Sequence, residues 1–425
     1  MLFLFILFDK TIAFLPILQV RKTMHKLRIQ DLSVQNKKVL VRVDFNVPLN
    51  SDGTISDATR IKESLPTIEY LLKNGASVIL MSHLGRPKAK VDPKYSLKIC
   101  LDTLSKLLQK PALFSTDCVG EESKKLASSL KPGQVLLLEN LRFHEAEEKP
   151  EKDPSFAKQL SELGDIYIND AFGTAHREHS STATIAKFFP QKAAAGFLMQ
   201  KEIDAFLELL TNPKRPFYAI VGGAKISSKI GVLSSLIKKV DGIFLGGGMA
   251  YTFFKLQGIP IGDSICENDS LETAKNFLEE CKQKNIILSL PKDIIIANQF
   301  SNDAEKKCIS VEKGVPDHWQ GMDIGPETIK NWKNDFTNAK TFFWNGPLGV
   351  FEFPNFAAGT QAIAQTLSEL PAKTIVGGGD SIAAINGMNL GSRFAHLSTG
   401  GGASLEYIEY GHLPGIDALS DGPSR

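Results

Sequence analysis

The sequence predicts an α/β protein of two domains built on mainly parallel sheets, and three observations lead there. Short apolar runs alternate with longer amphipathic ones through the middle of the chain, the pattern of βα units. The length, 425 residues, exceeds what one typical core supports. Four glycine clusters in the second half each follow an apolar run, so each reads as strand, glycine turn and helix start. They are Gly222-Gly223, Gly246-Gly247-Gly248, Gly377-Gly378-Gly379 and Gly400-Gly401-Gly402.

In the first half, apolar runs predict strands over 39–45, 78–81, 135–138 and 165–168. A helix is expected within 61–72, with Pro66 near its start or at a kink. Ile203, Phe206, Leu207 and Leu210 recur at helical spacing and predict a helix over 200–210, which Asn212-Pro213 stops. Further strands are expected over 217–221, 242–245, 286–290, 294–297, 341–344, 373–376 and 395–397. Leu413-Pro414-Gly415 is a turn into a short terminal segment.

Composition narrows the class. Apolar residues make up 43% and charged residues 23%, as in ordinary globular proteins. A net charge of +2 does not favour nonspecific nucleic-acid binding. Cys100, Cys118, Cys266, Cys281 and Cys308 are scattered, odd in number and without a Cys-x-x-Cys pair, which fits reduced thiols in the cytoplasm. Residues 1–23 are apolar but split by Asp9, Lys10 and Pro16, and Met24 follows them. They are expected to be an upstream start or dispensable extension rather than a membrane anchor.

Arginines gather beyond the first-half strands. Arg42, Asp44 and Asn46 alternate along the first run, so all three should face one side of a strand. That polar stripe marks either a ligand site at the carboxyl end of the sheet or a half-exposed edge strand. Three later runs lead into loops carrying His83 and Arg86, Arg142, and His176 and Arg177, while Arg60 precedes a helix. A lone loop arginine is ordinarily solvated, but several at one sheet edge predict a small, multiply anionic ligand. Asp44 would accept a hydrogen bond from a ligand hydroxyl.

The second half lacks both Gly-x4-Gly-Lys-Ser/Thr and Gly-x-Gly-x-x-Gly, which argues against a P-loop NTPase and a dinucleotide-binding dehydrogenase. Lys225 and Lys229 lie four apart after Gly222-Gly223, as if on one face of a helix start. A helix dipole disfavours lysine there unless phosphate is bound, although two solvated lysines would look the same. Glu352, after the rigid turn Asn345-Gly346-Pro347, could take ribose hydroxyls. Asp380, in Gly379-Asp380-Ser381, is placed either to hold magnesium with phosphate oxygens or to cap a helix.

Nine motifs in order carry a resemblance to the phosphoglycerate kinase family: RVDFNVPL, SHLGRP, LENLRFH, NDAFGTAHR, GGAKISSK, FLGGGMA, WNGPLGVFE, GGGDS and STGGGASLE. The resemblance implies two Rossmann-like domains joined by a linker helix, with the C-terminal tail returning to the first. The expected boundaries are 24–199 plus the tail 411–425 for phosphoglycerate binding, 200–212 for the linker, and 213–410 for nucleotide binding. It implies phosphoryl transfer between 1,3-bisphosphoglycerate and ADP, with Mg2+. By motif, Asp44, Asn46, Arg60, His83, Arg86, Arg142 and Arg177 would hold phosphoglycerate. Lys225, Lys229, Gly246, Asn345, Glu352, Gly378, Gly379, Asp380 and Ser381 would hold nucleotide, with Asp380 on the metal. A cytoplasmic monomer without nucleic-acid or membrane partners is expected. Ser228 stands where many members have Asp, and Asn298-Gln299 replaces a more charged pair.

Neither acceptor in that reaction has a proton to lose near neutral pH, so no general base is required. Catalysis must come from alignment and charge stabilisation, for which Arg60, Lys225, Lys229 and the backbone at Gly379 and Gly402 are expected to serve. Ligands held on separate domains require hinge closure. A non-catalytic metabolite-binding protein on the same fold is the alternative; it predicts loss of Arg60, Lys225 or Asp380, all of which are present.

Overall fold

The structure, a computed structural model, describes residues 26–423. The extension 1–23 lies outside the described residues. The chain divides into two compact units, one of residues 1–207 with 411–425 and one of residues 208–410.

Six strands form the sheet of the first unit: β1 (Lys38–Arg42), β2 (Ser77–Met81), β3 (Ala112–Phe114), β4 (Val135–Leu137), β5 (Ile166–Asn169) and β6 (Ala193–Ala195). Their order is β3-β4-β2-β1-β5-β6, and every pairing is parallel. Both faces are covered, so β2 is buried along its whole length and reads as a continuous apolar run. Val39, Val41, Val78, Leu80, Leu137 and Ile168 form the core. Pro66 lies in the middle of the helix Thr59–Lys73, not near its start.

The second unit has a parallel sheet of β7 (Phe217–Val221), β8 (Gly242–Leu245), β9 (Ile287–Ser289), β13 (Thr341–Asn345), β14 (Lys373–Gly377) and β15 (His396–Leu397). The order β15-β14-β13-β7-β8-β9 is that of a doubly wound dinucleotide fold, with its switch point between β7 and β13. Aromatic residues fill its core, where Phe244 meets Phe336 edge-on at 4.7 Å and Trp332 at 5.4 Å. Between β9 and β13 the chain forms a separate antiparallel sheet of β10 (Asp293–Ala297), β11 (Lys306–Ser310) and β12 (Gln320–Ile324). The expectation of parallel sheets is incomplete on this point.

The helix Phe197–Thr211 carries the chain from one unit to the other. Its first N–H groups are satisfied from a distance: Phe197 N donates to Thr67 Oγ1 at 2.9 Å, and Leu198 N and Met199 N donate to Asp170 Oδ1 at 2.9 and 3.2 Å. The tail joins the first unit through the buried Lys26, whose Nζ donates to the carbonyls of Asp417 and Leu419 at 2.9 and 2.8 Å. Among the described residues no helix is long and apolar enough to cross a membrane.

Candidate active site

Register gathers the first set of residues. Arg42 pairs with Met81 on β2 and with Asn169 on β5, and Leu80 pairs with Leu137 on β4. Four neighbouring strands therefore end level, and their loops share one edge. Hydrogen bonds stitch those loops together. Asn46 Oδ1 accepts from Gly85 N at 2.8 Å, Ser82 Oγ accepts from Phe45 N at 2.8 Å, and Arg142 donates to the Gly85 carbonyl at 2.8 Å. Arg60, second residue of the helix Thr59–Lys73, forms an ion pair with Asp44. Asp44, Asn46, Arg60, His83 and Arg142 are thus brought together. Arg86 and Arg177 are exposed on the adjoining loops.

The predicted stripe does not exist as a strand face. β1 ends at Arg42, and Asp44 and Asn46 lie half-buried in the loop. Arg42 is only 1% exposed. Its guanidinium donates to Ser181 Oγ at 2.9 Å, to the Val43 carbonyl and to His83 Nδ1 at 3.1 Å. Ser181 Oγ in turn donates to Glu147 at 2.6 Å, so a buried carboxylate balances the buried guanidinium through one hydroxyl. Sequence reasoning missed Glu147, Ser181 and His179. Nothing in the spacing of residues so distant in sequence could have joined them.

This arrangement keeps the histidines neutral. Burial, aided by Arg42, Arg142 and Arg60, holds His83 well below its ordinary value. Burial and neighbouring arginines push His179 down to about 3, and burial with Arg177 brings His176 to about 4. The arginines therefore supply the positive charge, and the imidazoles can act as neutral hydrogen-bond partners. Among the described residues Arg142 Nε is buried without a partner, an unused donor in this group.

The second set sits beyond the carboxyl ends of β7, β8, β13 and β14, where Val221 pairs with both Leu245 and Asn345, and Asn345 pairs with Gly377. Backbone bonds interlock the turns: Gly222 N to Asn345 O at 2.9 Å, Gly246 N to Val221 O at 3.0 Å, and Gly247 N to Leu348 O at 3.0 Å. A side chain at Gly222 would strike the Pro347 carbonyl, and Gly247 combines a φ of +69° with close approach to the Gly223 backbone. Gly379 and Gly402 are different. A Cβ at either would meet nothing within 4 Å, and neither needs a positive φ. Local packing gives no reason for glycine there.

Lys225 and Lys229 do not share a helix face. The helix begins at Ile230, leaving Lys229 at its N-cap and Lys225 exposed in the preceding turn. That turn is held by Glu267, which accepts from Ser227 N at 2.9 Å and Ser227 Oγ at 2.5 Å, and by Ser228 Oγ donating to the Lys225 carbonyl at 2.9 Å. Lys229 Nζ donates to Asn345 Oδ1 at 2.5 Å and to its carbonyl at 3.1 Å. Burial pulls Lys229 down to about 8, with Asp380 opposing.

A cavity of about 660 Å³ opens between the glycine turns and the antiparallel sheet, within the range of small-molecule sites. Gly223, Gly247, Phe353, Glu352 and Asp380 line it, with Asp323, which burial raises to about 7. Asp380 is exposed in the first turn of the helix Gly379–Gly387 and has no side-chain hydrogen bond or ion pair among the described residues. Ser381 faces inward instead, its Oγ accepting from Gly346 N at 2.7 Å, so it holds the turn. Gly402 opens the helix Gly402–Tyr410 after the edge strand β15.

The family model described as phosphoglycerate kinase matches residues 29–411. The cytosolic phosphoglycerate kinase of Triticum aestivum is 52% identical over 394 residues, covering 92% of this chain and 97% of its own. Phosphoglycerate kinase 1, chloroplastic, of Arabidopsis thaliana is 50% identical over 405 residues, 94% of this chain and 83% of its own. The solved phosphoglycerate kinase of Coxiella burnetii superposes with a TM-score of 0.83 at 40% identity, covering 93% of this chain and 98% of that one. Two parallel sheets carrying arginines at one edge and glycine turns at the other, together with these matches along nearly the whole chain, place it in one family: the chain belongs to the phosphoglycerate kinases.

Proposed function

We propose that this chain catalyses reversible phosphoryl transfer between 1,3-bisphosphoglycerate and ADP, as a glycolytic kinase. The observation that carries the reading is that each unit ends in a sheet edge of its own chemistry. One gathers guanidinium groups around neutral histidines, and the other gathers glycine turns and two lysines at a nucleotide-sized cavity lined by Asp323, Glu352 and Asp380.

Asp44, Asn46, Arg60, His83, Arg86, Arg142 and Arg177 bind phosphoglycerate. Its anionic groups compete with Asp44 for Arg60, and Asp44 is then free to accept from the ligand hydroxyl. The nucleotide lies in the cavity, with Glu352 from its wall toward the ribose and Lys225, Lys229, Asn345 and Gly378, on the turns next to its lining residues, toward the phosphates. Gly246 and Ser381 shape the turns. Asp380 fits magnesium, being an exposed carboxylate on the cavity with no side-chain hydrogen bond or ion pair among the described residues, though within electrostatic reach of Lys229. When bound, the ion would supply positive charge to the phosphate oxygens. Backbone at Gly379 and Gly402, where a side chain is absent without a packing cause, approaches the transferring group.

Transfer requires the two ligands to meet, so the units close during turnover and exclude water from the acyl phosphate. The protein acts as a cytosolic monomer, a localisation supported by the wheat relative's name. A coupled assay of ATP-dependent 3-phosphoglycerate turnover tests the reading. Lys225→Ala should lower kcat by about a hundredfold or more. Protein that binds both ligands without turnover would overturn it.

A further inference from the structure

One side-chain cluster lies outside this machinery. The loop after β3 brings Asp117 and Cys118 against His144, which follows β4. Asp117 Oδ1 accepts from His144 Nε2 at 2.7 Å and from the Cys118 backbone N–H at 2.6 Å. The Cys118 sulfur, an Asp117 oxygen and a His144 nitrogen all lie within 4.8 Å of one another. We propose that Asp117, Cys118 and His144 form a binding site for a thiophilic divalent cation, Zn2+ in particular.

The donor set selects the metal. A thiolate, an imidazole and a carboxylate suit zinc, whereas magnesium and calcium take oxygen donors. Geometry also fits. Zinc bonds of about 2.0–2.3 Å in a tetrahedron put ligand atoms roughly 3.3–3.6 Å apart. The Asp117–His144 contact of 2.7 Å must widen by less than about 1 Å, and the thiol, within 4.8 Å of both partners, must close by at most about 1.5 Å. Access is graded, because Cys118 is fully buried while the side chains of Asp117 and His144 are 49% and 32% exposed. The sulfur forms the closed floor, the harder ligands form the mouth, and solvent supplies the fourth position.

The surroundings support the set. The His144 ring stacks on Phe156, with centroids 4.9 Å apart, which fixes its plane. Burial, with Asp117 and the buried Glu147, holds the Cys118 thiol well above its ordinary value, so the cation itself must displace the proton, and the same negative groups attract the cation. Binding releases the thiol proton to solvent, breaks the Nε2–H bond to Asp117 and shifts the imidazole proton by exchange with solvent from Nε2 to Nδ1, so the three ligands and the dication sum to zero charge.

Co2+ titration of the intact chain, in excess Mg2+ to occupy oxygen sites, tests this. The expected result is a near-ultraviolet thiolate-to-cobalt band saturating at one equivalent and bleached by Zn2+. Cys118→Ser should abolish the band, His144→Gln should weaken binding by tenfold or more, and Cys308→Ser should change nothing. Melting curves without metal confirm that each variant is folded. Absence of the band in wild type, or its persistence in Cys118→Ser, would overturn the proposal. So would unchanged affinity in folded His144→Gln.

Discussion

Lys229 offers the sharpest test of the nucleotide site, because its proton should move when nucleotide binds. Burial against Asn345 lowers it from an ordinary 10.5 to about 8. A phosphate beside Nζ restores the charged form. If the bound-state value returns to about 10.4, the chain takes up about half a proton at pH 8, about 0.9 at pH 9 and only about 0.1 at pH 7. The terminal nucleotide phosphate, with a pKa near 6, is silent at the two higher values. Calorimetry of ADP binding in buffers of different ionisation enthalpy reads this uptake as a slope. Lys229→Met should remove it. Zero uptake in wild type at pH 8 and 9, or equal uptake in Lys229→Met, would refute the reasoning. The same shift has a stability sign. Between about 8 and 10.5 the unfolded chain holds this proton and the native chain does not, so stability in the absence of ligand rises with pH across that window. Below it the buried charge costs up to about 3 kcal/mol.

Arg60→Ala should reduce kcat by about 100- to 1000-fold while nucleotide affinity stays within about twofold; unchanged turnover removes Arg60 from the mechanism. The glycines should separate by role. Gly222→Ala drives a methyl into the Pro347 carbonyl and should destabilise the chain by about 1–3 kcal/mol in denaturant unfolding. Gly379→Ala, in open space, should leave stability within about 0.5 kcal/mol yet lower kcat/KM for nucleotide. A fully active Gly379→Ala enzyme would show that the phosphate does not approach that backbone.

Much of the fold was legible where burial writes itself into composition. Parallel strands covered on both faces are apolar throughout, so β1, β2, β7, β13 and β14 stand out. Among the described residues, the four strands that were missed give a weaker signal. β3 and β6 are apolar but only three residues long, β11 is Lys-Lys-Cys-Ile-Ser with its first three residues exposed, and β12 is Gln-Gly-Met-Asp-Ile, broken by polar residues and glycine. The candidate residues were legible as loops after strands, because a parallel sheet sends those loops to one edge. Their fine placement was not. Spacing suggested one helical face for Lys225 and Lys229, but Ser228 and Glu267 hold a turn there, and Glu267 comes from 40 residues away. The buried pairing of Arg42 with Glu147 through Ser181 rests on three segments that only the fold brings together.

The return of the tail has a consequence for synthesis. Leu413, Ile416 and Leu419 are buried, and Lys26 is tied to the carbonyls of Asp417 and Leu419. The second unit, a continuous stretch from residue 208 to residue 410, is complete before those groups exist. On the ribosome, the first unit to be translated is therefore the last to be finished. Most of it must wait, with one seam open, while the second unit emerges and folds.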